Sequence, residues 1–290
     1  MERIYCPAYS FEDLCEICRK ADIKEATTWD PLNMSRYRKP FTQELVGRAF
    51  PCRFDDGSRL LLRFPEVNKV LWSEDGEVFH EEYCEPLKST AGNVIGVHFL
   101  RRAMLPFEAA FVVIDMDSGY ATWVQMTLGA HNDEKYVFSQ PHFGEVDGLG
   151  DRRGEKHHFA ADLVGKSIDW TYNERMTLRH SYVTPYLMYV PHLPERGKEC
   201  SDNEDFIWHR FCKGFHAKIR DDLYLVTFTE DGNRGAALLI DTKRLHDIGG
   251  FYGITHDGRL SCLTLTARGG WGGVGLKEGA GFAKPLFDED

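Results

Sequence analysis

The sequence predicts an all-β fold: two antiparallel β-barrels in tandem behind a short N-terminal helical arm. Three observations carry the prediction. The first is a stretch used twice. Residues 44–64 read ELVGRAFPCRFDDGSRLLLRF and residues 162–182 read DLVGKSIDWTYNERMTLRHSY, at an offset of 162 − 44 = 118. The second is a further pair of echoes in the same order, GVHFL (96–100) against DLYLV (222–226) and AFVVID (110–115) against AALLID (236–241), at 236 − 110 = 126. Ordered matches with one insertion between them are the mark of a duplicated unit. The third is turn chemistry, DDG at 55–57, EDG at 74–76 and DSG at 117–119, between short alternating or aliphatic runs with no long amphipathic helix. Such spacing describes a meander, and closing it into a barrel removes the exposed edges of an open sheet.

The elements follow in order. Ser10 and Asp13 form a capping-box pattern opening a helix through FEDLCEICRKADIKEA, with Phe11, Leu14, Ile17 and Cys18 at helical spacing. Cys15 and Cys18 form a CxxC. A zinc site needs a second ligand pair at similar spacing and the other cysteines are scattered, so no metal is expected. The arm is read as 1–43, the first barrel as 44–138, a glycine-rich polar linker as 139–161, and the second barrel with a glycine-rich tail as 162–290. His157 and His158 in that linker are read as solvated. In the second barrel, strands are expected at about 167–172, 176–182, 186–190, 207–212, 215–219, 222–229, 235–241, 247–254 and 260–265. The tail lacks the GK[ST] of a phosphate loop, and no GxGxxG opens a helix.

Composition bounds the function. The 290 residues are 42% hydrophobic and 13% aromatic, enough for two packed cores. A net charge of −10 without a basic stripe speaks against nucleic-acid binding. No apolar run reaches the roughly 20 residues of a membrane span. The start MERIYCPAYSFEDL lacks the basic and apolar regions of a secretory signal, so the expectation is a cytoplasmic protein whose eight cysteines are reduced.

The repeat allows one barrel to be compared with the other. Successive side chains on a barrel strand alternate inside and outside, so Leu60, Leu62 and Phe64 face in. At offset 118 they become Leu178, His180 and Tyr182. An imidazole and a phenol thus replace two apolar core residues, which implies either a satisfied hydrogen-bond network or a wet, ligand-holding interior. Tyr224, Val226, Phe228 and Glu230 share one face of the next informative strand, opposite His98, Leu100, Arg102 and Met104 at offset 126. Glu230 also reads as a turn-starting acid in TEDGN. In the first barrel Trp72, Tyr83 and His98 are the candidates, with Trp72 read as wall and His98 as a satisfied core histidine. His209 is a candidate for the second interior on a strand too irregular to phase, and Arg179 is read as solvated. No GxSxG or catalytic cysteine context is present.

DLVGKSIDWTYNERMTLRHSYVTPYLMYV, IRDDLYLVTFTED, AALLIDTKRLHDIGGFYGI and HDGRL, in this order, resemble the C-terminal domain of the MoaF family; FDDGSRLLLRF, KVLW and AAFVVIDMDSGYATWV resemble its N-terminal barrel. The resemblance spans residues 40–270 and implies two lipocalin-like (calycin-type) barrels. It matches His180 and Tyr182 to the family's His-x-Tyr strand and Glu230 to the acid after its LYL strand. The family's molybdenum-cofactor label implies no such site here, because no thiolate or pterin-binding pattern is visible.

These readings give an expectation: a cofactor-independent acid–base enzyme of isomerase, cyclase or lyase type, acting on a small aromatic or apolar metabolite in the C-terminal barrel. His180 would be base or acid, Tyr182 and Tyr224 orienting donors, and Glu230 the group fixing the imidazole's tautomer, with Trp170, Phe228 and His209 lining the substrate. A carrier or sensor with the same cavity and no chemistry stands beside it. A purely structural protein would instead have filled barrels. The oligomeric state, homo-oligomer included, is left open.

Overall fold

A computed structural model describes residues 9–131, 134–193, 209–230, 234–255 and 257–272. The arm is helical where its cap predicts: α1 (Phe11–Lys20) starts at Ser10, whose hydroxyl accepts the Asp13 amide at 3.1 Å while the Asp13 carboxylate accepts the Ser10 amide at 2.8 Å. A second helix, α2 (Ile23–Thr28), starts at Asp22, which accepts the Glu25 amide.

The first barrel is a closed antiparallel meander of β1 (Ala49–Phe54), β2 (Arg59–Glu66), β3 (Lys69–Ser73), β4 (His80–Lys88), β5 (Val94–Arg101), β6 (Glu108–Asp115), β7 (Tyr120–His131) and β8 (Glu134–Val146). β8 returns to β1, with Cys52 opposite Val146. The barrel therefore runs to Val146, into the stretch expected to be linker.

In the second half a two-residue strand, β9 (His158–Phe159), lies beside β13, and the ring consists of β10 (Ser167–Asn173), β11 (Met176–Thr184), β12 (Leu187–Leu193), β13 (His209–Arg220), β14 (Leu223–Glu230), β15 (Arg234–Asp241), β16 (His246–Ile254) and β18 (Arg268–Trp271). β12 pairs with β13 and β18 with β10, closing it. β17 (Leu260–Leu265) extends β16, so β17 and β18 share the role that unbroken β8 has in the first barrel. The runs expected at 207–212 and 215–219 belong to one strand, β13.

The repeated stretch builds the same corner twice. Phe50 pairs with Leu62 and Ile168 with His180, so the register itself repeats at 168 − 50 = 118. Before each corner the Leu-Val-Gly turn places a leucine, Leu45 or Leu163, as a buried plug under one end of the barrel. Gly47 and Gly165 take φ of 75° and 82°, a region costly for other residues, and their amides donate to the carbonyls of Phe64 and Tyr182 at 2.8 Å.

The second echo needs a correction. Val112 and Leu238 both face in, at 238 − 112 = 126. Their cross-strand partners are Val97 and Val226, at 226 − 97 = 129. The hairpin between β14 and β15 is shorter than that between β5 and β6, and the odd difference of three flips the face. His98 and Leu100 therefore lie outside the first barrel and are not the counterparts of Tyr224 and Val226.

That outer face forms a third core, a seam between the barrels. Leu100, Phe111 and Val113 pack there with Leu225, Leu239 and Ile248, and Leu14 and Cys18 of the arm cover it. Cys15 and Cys18 are both buried, and the Cys18 sulfur accepts the Phe107 amide at 3.2 Å. His98 bridges the seam: Nδ1 lies 3.1 Å from the Ala110 carbonyl and Nε2 3.1 Å from that of Phe251. Burial holds its pKa down to about 4, so the ring is neutral and donates to one carbonyl at a time.

Candidate functional site

The site grows from the period-two alternation of β10 and β11. Ile168, Trp170 and Tyr172 point into the second barrel, as do Leu178, His180 and Tyr182. Phe228 enters from β14, with its ring 5.4 Å from that of His180. His216 enters from β13, paired with the inward Val226, and its ring stands 5.0 Å from Tyr182, edge to face. Trp170 and His180 are 6.5 Å apart and His180 and Tyr182 6.4 Å. One layer across the barrel thus holds four sequence-predicted residues, His180, Tyr182, Trp170 and Phe228, together with His216.

Five polar atoms of this layer are unpaired among the described residues. Both ring nitrogens of His180, the Tyr182 hydroxyl, the Trp170 indole N–H and Nδ1 of His216 are buried and have no hydrogen-bond partner among the described residues. Trp170 lies near enough to the Tyr182 phenol to act on its ionisation without reaching hydrogen-bond geometry. Five such atoms around one apolar interior are uncommon, because each unmade bond costs about 1–3 kcal/mol.

Burial also sets the charge state. It lowers the pKa of His180 to about 3 and of His216 to about 4, and it raises the Tyr182 phenol above its ordinary value. The layer is therefore neutral at physiological pH: two imidazoles that can each donate and accept, one phenol, one indole donor. An imidazole held near 3 is a poor proton carrier at pH 7, which departs from the expectation of His180 as base or acid.

Of the residues expected to act with His180, Tyr224 stands elsewhere. The Tyr224 hydroxyl donates to Asp162 at 3.0 Å, beside the Leu163 plug. Glu230 is at the other end of β14, and six residues of strand separate the two by about 20 Å. One imidazole cannot engage both. The side chains of Glu230 and His209 lie outside the described residues. Arg179 is not simply solvated; its Nε donates to Asp169 at 2.6 Å on the outer face. In the first barrel Trp72 is an interior wall, while Tyr83 is on the outer surface with its hydroxyl donating to Glu85.

Sequence reasoning missed Asp247. It pairs with the inward Ile240, is fully buried, and accepts from the Tyr172 hydroxyl at 3.3 Å and from the Ala267 amide where β17 gives way to β18. Burial, opposed by those two donors, raises its carboxyl to about 7. The signal was present in the repeat, since Ala121 occupies the same inward position of the first barrel at 247 − 121 = 126.

A groove of about 550 Å³ lies outside both barrels, lined by Asp115, Lys156, His158, Lys218 and Arg220 among others. Its charged groups pair with one another, Arg220 with Asp115 and Lys218 with Asp221, so it lacks the orphaned polarity of the barrel interior.

Comparison with known proteins agrees with the barrel. No curated protein matches the chain. Residues 157–270, which span β9 to β18, match the family model described as the MoaF C-terminal domain. The match does not extend over the first barrel. The second barrel is thus similar to the C-terminal domain of the MoaF family, and the family likeness rests on that half of the chain.

Proposed function

We propose that the C-terminal barrel binds a small, uncharged, largely aromatic or apolar molecule carrying at least one hydrogen-bonding group, as a carrier or sensor does. The family and the barrel fold suggest a lipocalin-like ligand-binding protein. The observation that carries the finer reading is the layer of His180, Tyr182, Trp170 and His216, whose buried polar atoms point at no protein partner among the described residues. Apolar walls supply affinity and a few fixed polar groups supply orientation. A neutral layer matches a neutral guest, because a buried charge without a partner is costly. The unlinked polar groups favour binding over an acid–base relay, in which His180 would itself be held by an orienting partner.

A second reading rests on Asp247. Its carboxyl, held near 7 in the same interior, has the ionisation a general acid or base needs. Proton transfer of the isomerase or lyase kind would then start from Asp247 rather than His180.

The test is retention. The full chain is equilibrated with a metabolite extract, separated from free small molecules, and its bound molecules are identified by mass spectrometry, beside a His180→Leu/Tyr182→Phe variant. A neutral aromatic or apolar molecule held by the wild type and lost from the folded variant is the expected result. Equal retention by both, or retention by neither, overturns the reading.

A further inference from the structure

The first barrel has its own buried polar cluster, which neither the repeat comparison nor the family match points to. Arg101, at the end of β5, continues the inward series Ile95, Val97 and Phe99 and is only 1% exposed. Its guanidinium lies over two indoles, 4.4 Å from the centre of Trp72 and 4.9 Å from that of Trp123. Nη1 donates to Glu108 at 2.8 Å, and Nη2 donates to Glu74. The Gln125 amide donates to both oxygens of Glu108 at 3.0 Å, and its Oε1 lies 3.3 Å from Nε2 of His142; His142 in turn sits 2.5 Å from Asp56. Asp56 and Glu74 belong to the turns after β1 and β3, so the cluster lies at the end of the barrel opposite the Leu45 plug.

Three buried N–H groups in this cluster have no acceptor among the described residues: Nε of Arg101, Nε1 of Trp72 and Nε1 of Trp123. All three can only donate. A brace made for stability alone would satisfy them, since the guanidinium already has two carboxylates beside it. Glu74 is also half exposed, at 53%, on the rim turn, whereas Glu108 is fixed inside by Gln125. The arrangement is a set of donors around a permanent positive charge, with one of its two counter-ions on a solvent-facing turn.

We propose that the mouth of the N-terminal barrel is a second ligand site, for a small aromatic carboxylate. The incoming carboxylate replaces Glu74 on Arg101, taking the Nε–H and Nη2–H fork side by side. Its ring lies among Trp72, Trp123 and Phe54, the last with its ring 5.8 Å from Trp123. The indole N–H groups donate to the same oxygens. The two barrels thereby take guests of different charge: a neutral one in the second, an anionic one in the first.

The test follows the indole N–H signals of the full chain by nitrogen-15 NMR, with benzoate and 2-naphthoate as probes and their amides as controls. Trp→Phe variants assign the signals. The signals of Trp72 and Trp123 should move saturably with the acids while that of Trp170 stays still, and the amides should bind at least ten-fold more weakly. Trp123→Phe, which keeps a ring and removes only the donor, should weaken the acids about ten-fold, and Arg101→Lys should abolish the response. Should Arg101→Lys fail to fold, Trp123→Phe decides alone. The His180→Leu/Tyr182→Phe variant should respond as the wild type does, so the fate of the C-terminal site is read separately. Unmoved Trp72 and Trp123 signals, acids and amides binding alike, or full affinity in Trp123→Phe each overturn the proposal.

Discussion

Arg220, at the end of β13, forks onto Asp115, the last residue of β6: Nε donates to Oδ2 at 2.9 Å and Nη2 donates to Oδ1. The pair ties the second barrel to the first, and its mirror lies close by. Thr90, at the corresponding turn of the first barrel (220 − 90 = 130), donates to Asp241, the counterpart of Asp115 (241 − 115 = 126), at 2.7 Å. The seam is thus held by two equivalent contacts related by the duplication. Asp115→Ala should destabilise the chain by about 1.5–3 kcal/mol, the worth of hydrogen bonds to a charged group, read as a shift in denaturation midpoint. Burial pushes the Asp115 carboxyl up, but Arg220 and the Ser118 amide outweigh it, so its pKa is depressed. The sign follows: this stability is present above the unfolded value of about 3.9 and is lost as pH falls through the lower folded value. Below about pH 4 the Asp115→Ala chain should lose less stability than the wild type.

At the centre of the same seam a glycine is required by its neighbour. A Cβ on Gly250 would stand 2.5 Å from Nδ1 and 2.6 Å from Cγ of His98, a ring held at both nitrogens. Gly250→Ala should cost about 1–3 kcal/mol through overpacking. His98→Ala removes the obstacle, so the double variant should be more stable than the two single costs predict, with a coupling of about 0.5–3 kcal/mol. Strict additivity in thermal denaturation would show that the clash is relieved elsewhere.

The corner built from residues 44–64 and 162–182 was legible in the sequence because a Leu-Val-Gly turn and a strict alternation fix both register and face. The repeat alone equates Leu62 with His180. Beyond the first strands the equivalence drifts, since a hairpin shortened by an odd number of residues reverses which side chains face in. That reversal hid the relation between Arg101–Glu108 and Glu230–Arg234. In each barrel an acid and a base stand opposite each other at the start of the β5–β6 or β14–β15 hairpin, with the charges exchanged. His216 was hidden because the pattern of β13 reads as two short strands. Asp247 was visible opposite Ala121, but a lone acid in a glycine-rich strand carries no periodic signal.

Asp247 gives a pH dependence of opposite sign to that of Asp115. Its carboxyl is held at about 7 inside the barrel, against about 3.9 in the unfolded chain. A raised folded value means that the contribution is fully present below about pH 3.9 and is lost as pH rises through about 7. The gap between the two values corresponds to at most about 4 kcal/mol. Several buried histidines, His180 and His216 among them, lose stability in the other direction as pH falls below about 6.5, so the wild-type curve alone does not isolate it. The difference between wild type and Asp247→Asn does. An asparagine at this position stays neutral at every pH and keeps an acceptor for the Ala267 amide. The variant should therefore gain on the wild type steadily from about pH 4 to 7 and then level off. A difference that stays flat across that range would place the Asp247 ionisation elsewhere.

The last prediction concerns stability without any ligand. In the first barrel the positions of His180 and Tyr182 are held by Leu62 and Phe64, both fully packed. The His180→Leu/Tyr182→Phe chain therefore carries side chains that the same register already accommodates. It also removes three of the five polar atoms of that layer that have no hydrogen-bond partner among the described residues. Each such atom costs about 1–3 kcal/mol when buried without a partner, so the double variant should be more stable than the wild type by about 2 kcal/mol or more. A natural core that improves when made apolar is one kept polar for function. The reverse exchange, Leu62→His/Phe64→Tyr, should cost a similar amount, because the first barrel has no use for the groups at that level. If the C-terminal double variant is instead destabilised by several kcal/mol, then His180 and Tyr182 are bonded in solution, and their polarity serves the fold and not a guest. Tyr182→Phe alone separates the two uses of the phenol: a binding site should lose affinity with the hydroxyl, while a chain that transfers a proton through it should lose about 10²-fold or more in rate with binding little changed.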